Sequence, residues 1–174
     1  MGQKILVVED NELNLKLFCD LLRAHAYEAE PVRDGREAVE RARAFAPDLI
    51  VMDIQMPHIS GLELIEQIKA DAELRAMPIM AVTAYAAKGD EERIRDAGAE
   101  GYVSKPISVL RFVEAVRALL DAAAARAEEA EEEAAPAETR EAAEPEGEAA
   151  AEEAEAEEGG EGEDEEPEPP PPSP

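Results

Sequence analysis

Apolar and polar positions along this chain follow two alternating rhythms. Solid apolar runs occur at residues 4–8 (KILVV), 48–53 (DLIVMD) and 78–83 (PIMAVT), with weaker ones at 28–32 (EAEPV) and 101–104 (GYVS). A short β-branched-rich run without alternation marks a strand buried on both faces. Between these runs apolar residues recur at helical spacing. Leu15, Phe18, Cys19 and Leu22 form one stripe, with Leu17 and Leu21 beside it. Ala38, Val39, Ala42 and Phe45 form a second, preceded by Asp34 and Glu37 spaced as a capping pair. Ser60 and Glu63 repeat that spacing ahead of Leu64, Ile65 and Ile68. KGDEERIRDAGA predicts a short polar helix stopped at Gly98. Ser108 stands before a last helix carrying Val109, Phe112, Val113, Val116, Leu119 and Leu120. Five strand–helix pairs predict an α/β, doubly wound fold, in which a parallel sheet carries helices on both faces through right-handed crossovers.

Composition changes this picture near residue 120. Residues 1–120 hold 21 acidic and 15 basic side chains, whereas residues 121–174 hold 22 acidic and 2 basic. Every Phe and Tyr lies in the first stretch, and eight of the 13 prolines lie in the second. The first stretch can bury a core and the second cannot. The expected organisation is one domain over residues 1–122 and an acidic Ala/Glu/Pro-rich, disordered tail over 123–174. The stretch across that boundary, residues 122–135, is rich enough in Ala and Glu to extend the last helix. The tail reads as a solubilising appendage. Its sharper alternatives are an acidic lure for a basic partner or a competitor for the domain's own basic surface.

The charge balance argues against direct nucleic-acid binding, which needs clustered Lys and Arg. No run of about 18 apolar residues suggests a membrane span. The opening MGQKILVVEDNE is not patterned as a signal peptide, and its sixth residue is not the Ser or Thr of a myristoylation site. Cys19 is a lone cysteine and reads as a small core residue. A soluble, cytoplasmic protein is expected.

Candidate chemistry lies at the strand ends, where doubly wound sheets gather their functional groups. The first strand ends in Glu9 and Asp10, the third in Asp53 and the fourth in Thr83, and the fifth leads to Lys105. Neighbouring strands lie about 4.8 Å apart, so pairing of the first and third strands would make three carboxylates converge. Like charges that close resist joint ionisation. A Mg²⁺ ion, which favours carboxylate, carbonyl and phosphate oxygens, relieves the conflict. With the Lys105 ammonium and the Thr83 hydroxyl, the set suits phosphoryl transfer, with Asp53 as nucleophile. A single strand-end aspartate is more often a solvated turn residue, but five such groups in register argue for the site. His25 reads as a surface or C-capping residue and His58 as a solvated loop residue.

VVEDN, DLIVMDIQMPHISGLE, VTA and YVSKP, in this order over residues 4–120, resemble the receiver domain of two-component response regulators. The resemblance implies a flavodoxin-like sheet of order 2-1-3-4-5. It implies Mg²⁺ held by Glu9, Asp10, Asp53 and the Gln55 backbone carbonyl, and a phosphoryl group accepted on Asp53 from a histidine kinase or histidine phosphotransfer protein. Thr83 would move to the phosphate, Lys105 would pair with it, and Tyr102 would turn inward when Thr83 moves, altering the surface offered to a downstream protein target. The Lys105–Pro106 bond is expected to be cis. Gln55 and Tyr85 occupy the positions that tune phosphate lifetime, and a bulky Tyr85 implies slow self-dephosphorylation. Such a chain is a signalling protein rather than an enzyme. One rival is a phosphatase or phosphotransferase of the haloacid dehalogenase type, but VVEDNE lacks its Asp-x-Asp spacing. The other is a phosphorylation-independent scaffold, which predicts loss of the acidic pair, the nucleophile or the lysine, all of which remain.

Overall fold

The computed structural model describes residues 2–84 and 88–134. Tyr85 and residues 135–174 of the acidic tail lie outside the described residues. The chain runs β1 (Lys4–Val8), α1 (Glu12–Ala24), β2 (Glu28–Val32), a 3-10 turn (Gly35–Glu37), α2 (Ala38–Phe45), β3 (Leu49–Asp53), α3 (Gly61–Ala70), β4 (Ile79–Thr83), α4 (Lys88–Asp96), β5 (Gly101–Ser104) and α5 (Val109–Ala134). All five strands are parallel, in the order β2-β1-β3-β4-β5. This is the α/β doubly wound architecture expected from the pattern.

Alternation along each strand divides the core into two layers. Ile5, Val7, Leu49, Val51, Met80, Val82 and Val103 face α1 and α5, meeting Phe18, Leu22, Phe112 and Val116. The Phe18 and Phe112 rings stack with centroids 5.2 Å apart and bridge the two helices. Leu6, Val8, Ile50, Met52, Ile79 and Ala81 face the opposite way, onto Ala38, Ala42, Leu64, Ile65, Ile68 and Ile94. The solid apolar runs of β1, β3 and β4 follow from this two-sided burial. The edge strand β2 is less covered, and its burial pattern admits Glu28, Glu30 and Pro31.

Local chemistry sets the helix ends. Asn11 caps α1 by accepting from the Leu13 and Asn14 amides at 3.0 and 3.1 Å. Ser60 and Glu63 form the expected capping box at α3. Gly98 ends the α4 region at a φ of +111°, in the region that favours glycine. Lys69 joins α3 to the start of β4 and β5. Its ammonium donates to the Arg75 and Met77 carbonyls at 3.2 and 2.8 Å and to Glu100 at 2.5 Å.

One local expectation is corrected. Asp34 and Glu37 form no capping box; Asp34 instead accepts from the Arg36 amide and guanidinium, and the chain makes a 3-10 turn before α2. Leu17 and Val109 do not join the core, and both are 46% exposed. Leu17 lies at the margin of its stripe, and Val109 belongs to the first turn of α5, ahead of the packed stretch that begins at Phe112.

Candidate functional site

Register brings the polar strand ends together. Val8 pairs with Met52, so the next residues, Glu9 and Asp53, leave adjacent strands side by side. Ligand oxygens of Glu9, Asp10 and Asp53 all lie within 4.8 Å of one another. Glu9 and Asp53 are almost completely buried, at 1% and 2% exposure. A carboxylate pair that deep needs compensation, and Lys105 supplies it. Its ammonium lies 3.0 Å from Glu9 Oε2 and 3.4 Å from Asp53 Oδ1. The Asn11 amide donates to Glu9 Oε1 at 3.1 Å, and the Gln55 amide donates to Asp53 Oδ1 at 3.2 Å.

Electrostatics follow from that crowding. Burial, reinforced by the Asp53 charge, holds the Glu9 carboxyl above the ordinary carboxylate range despite the Lys105 hydrogen bond. Burial alone would pull the Lys105 ammonium down, but Glu9 and Asp53 together outweigh it and hold the ammonium above its usual value. Lys105 pairs with two of the three clustered carboxylates, Glu9 and Asp53. That excess of anionic oxygen at one buried edge fits a small hard divalent cation such as Mg²⁺.

The other expected residues take distinct places. Thr83 is buried at the end of β4 and pairs with Ser104 in register. Its carbonyl accepts from the Lys105 amide at 2.7 Å, which fixes the turn carrying the lysine. The Lys105–Pro106 peptide is cis. Gln55 is exposed beside Asp53. Tyr102 is half-buried on β5, and its hydroxyl donates to Glu91 of α4 at 2.9 Å. Tyr85 lies outside the described residues. His58 is exposed in the loop after Asp53 with a φ of +71°, and His25 is the exposed C-cap of α1.

Three contributors escaped sequence reasoning. Asn11 both caps α1 and anchors Glu9; its place directly after the acidic pair was the available signal. Gly61 opens α3 directly against the phosphoacceptor candidate, where an added Cβ would meet the Asp53 carbonyl oxygen at 2.2 Å. Ser-Gly before an apolar helix hinted at a cap but not at this approach. Glu91 gave no signal, because its contact with Tyr102 joins two different elements.

The response regulator receiver domain family matches residues 5–117. The polar-differentiation response regulators DivK of Brucella anthropi and Brucella ovis are each 56% identical over 120 residues, spanning 69% of this chain and 98% of each relative. Among solved structures, the receiver domain of a sensor histidine kinase from Pseudomonas aeruginosa PAO1 is 34% identical, with a TM-score of 0.65 over 70% of this chain and 99% of that one. That domain was solved with a magnesium ion coordinated in its active site cleft. Vibrio cholerae chemotaxis protein CheY4 shares the fold at 24% identity, with a TM-score of 0.65 over 68% of this chain and 99% of that one. Sheet order, converging carboxylates and these matches agree, and the chain belongs to the response regulator receiver domain family.

Proposed function

We propose that this protein is a stand-alone two-component response regulator that accepts a phosphoryl group on Asp53 and signals through phosphorylation-dependent protein binding. The observation that carries the reading is the buried Glu9–Asp53 pair with Lys105 between them, at the carboxyl edge of the sheet. Asp53 is the nucleophile. One of its carboxylate oxygens attacks phosphorus in a donor phosphohistidine, a P–O bond forms, the P–N bond breaks, and its electron pair returns to the imidazole nitrogen. Glu9, Asp10, Asp53 and the Gln55 carbonyl would hold Mg²⁺, which when bound supplies positive charge against the carboxylates and the phosphoryl oxygens. Lys105 exchanges its carboxylate partners for the phosphoryl group, and Thr83 donates its hydroxyl to it. Tyr102 follows Thr83, and the surface of α4, β5 and α5 changes with it. Gln55 and Tyr85 set how long the phosphate survives.

The receiver spans residues 1–122, and the acidic tail over 123–174 stands outside the chemistry. The DivK relatives consist almost entirely of the matched region, which supports action through the receiver itself. They are polar-differentiation response regulators, which supports a role in polarity control, and the reading extends from there to cell-cycle control. The donor is a histidine kinase or histidine phosphotransfer protein in the cytoplasm, and the output is a downstream protein target. Among the described residues no helix is long and apolar enough to cross a membrane.

Phosphotransfer from an autophosphorylated histidine kinase to wild type and to Asp53→Asn tests the reading, followed by capture of binding proteins with each form. Label on wild type alone, and a partner retained preferentially by the phosphorylated form, are expected. Equal retention without phosphate would favour the scaffold reading.

A further inference from the structure

Tyr102 has a partner that the phosphorylation site does not explain. Its register neighbour on β4 is Ala81, and Thr83 lies two residues further along the same strand. Residues two apart on a strand face the same way, so Tyr102 and Thr83 share one face of the sheet. The Tyr102 ring packs on that face against the layer containing Ala81 and Ile94. Ala81 contributes only a methyl group there. The Tyr102 hydroxyl leaves this layer and donates to Glu91 Oε2 at 2.9 Å. Glu91 lies early in α4, and its other oxygen, Oε1, is held by Arg95 one turn later at 2.9 Å. Each carboxylate oxygen thus has a donor, and the carboxylate is oriented from its own helix. The Glu91 hydrogen bond holds the Tyr102 phenol above its ordinary pKa, in keeping with a hydroxyl that keeps its proton and donates.

We propose that Glu91, oriented by Arg95, is a positioning residue that holds Tyr102 against α4 and so sets how readily the receiver enters its signalling state. This rests on the reading of Thr83 and Tyr102 as the switch. A ring that moves along the sheet face toward Thr83 must give up its bond to Glu91. An interaction made in only one of two states shifts the balance by its whole net strength. For one hydrogen bond of ordinary strength that is a roughly twofold to tenfold bias toward the resting state.

The test uses full-length protein with Mg²⁺ and beryllofluoride as the phosphoryl mimic. Occupancy is followed by the Thr83 amide resonance. The Tyr102 environment is followed by ¹⁹F spectra of 3-fluorotyrosine protein, assigned by the signal lost in Tyr102→Phe. Glu91→Ala is expected to move the Tyr102 signal of mimic-free protein toward its mimic-bound position. It should also lower the beryllofluoride midpoint roughly twofold to tenfold. Glu91→Gln, whose amide oxygen still accepts from the hydroxyl, should recover most of the wild-type midpoint. In a Tyr102→Phe background, Glu91→Ala should change nothing further. That null result separates positioning of Tyr102 from any general loosening of α4. An unchanged midpoint in Glu91→Ala, or an equal change with Phe at position 102, overturns the proposal. Wild-type protein that takes the mimic at Asp53 without moving the Tyr102 signal overturns the switch reading beneath it.

Discussion

A Cβ on Gly61 would meet three backbone atoms, the Asp53 carbonyl oxygen at 2.2 Å, Ile54 Cα at 2.6 Å and the Asp53 carbonyl carbon at 2.9 Å. None of these can yield as a flexible side chain would, so Gly61→Ala must displace the backbone that carries the nucleophile. Over-packing of this kind costs typically about 1–3 kcal/mol. Urea unfolding should show that loss, and phosphorylation by acetyl phosphate should slow by at least about tenfold, in line with the cost of small misplacements in positioned chemistry. A wild-type rate in Gly61→Ala would contradict the argument. Lys105 gives a second prediction. Glu9 and Asp53 are buried and rely on the partly buried Lys105 as counter-charge, so Lys105→Ala should lower stability by roughly 1–3 kcal/mol. Saturating Mg²⁺ should restore part of that loss, because an ion bound only to the folded state raises its stability. Melting Lys105→Ala with chelator and with Mg²⁺ checks both halves, and an unchanged melt in chelator would refute the first. At this scale the identities of the polar groups were legible, because each stands at the end of an apolar run or within a short contiguous motif. Their pairings were not, because Lys105 meets Glu9 across 96 positions of sequence.

Elements were legible where burial and period agree. Strands β1, β3 and β4 are buried along nearly their whole length and read as solid apolar runs. The α3 box was readable because a capping pair and an apolar stripe coincide. The entry to α2 was not, because an adjacent arginine competes for the same carboxylate. Asp34 accepts from Arg36 through both amide and guanidinium. These bonds, side chain first and backbone second, lower its carboxyl from an ordinary 3.8 to about 2. A depressed carboxyl stabilises the fold above its unfolded pKa and loses that contribution as pH falls through its folded value. The Tm advantage of wild type over Asp34→Asn should therefore be level above about pH 5, shrink as pH falls, and be lost only below about pH 2. An advantage that persists undiminished at the acid end would show that the Asp34–Arg36 contact does not couple to folding.

For the whole molecule, the division of charge decided most of what could be read. Large apolar and aromatic side chains are gathered within residues 1–120, and the excess acid follows, so one α/β domain was the economical solution. The order β2-β1-β3-β4-β5 came from the family resemblance rather than from pattern, since apolar periodicity does not say which strands pair. The structure carries α5 on to Ala134, well past Leu120, the last of its buried residues. Helix beyond that point adds little to the core, so deleting residues 126–174 should leave the rate and extent of phosphorylation unchanged. Loss of phosphorylation in the truncated protein would show that the acidic segment takes part in the chemistry. The most direct test of the central claim is the intact mass of wild type and Asp53→Asn after incubation with acetyl phosphate and Mg²⁺. A single phosphoryl gain in wild type, absent from Asp53→Asn and abolished by chelator, is the predicted result. A gain that persists in Asp53→Asn, or that is indifferent to chelator, would contradict it.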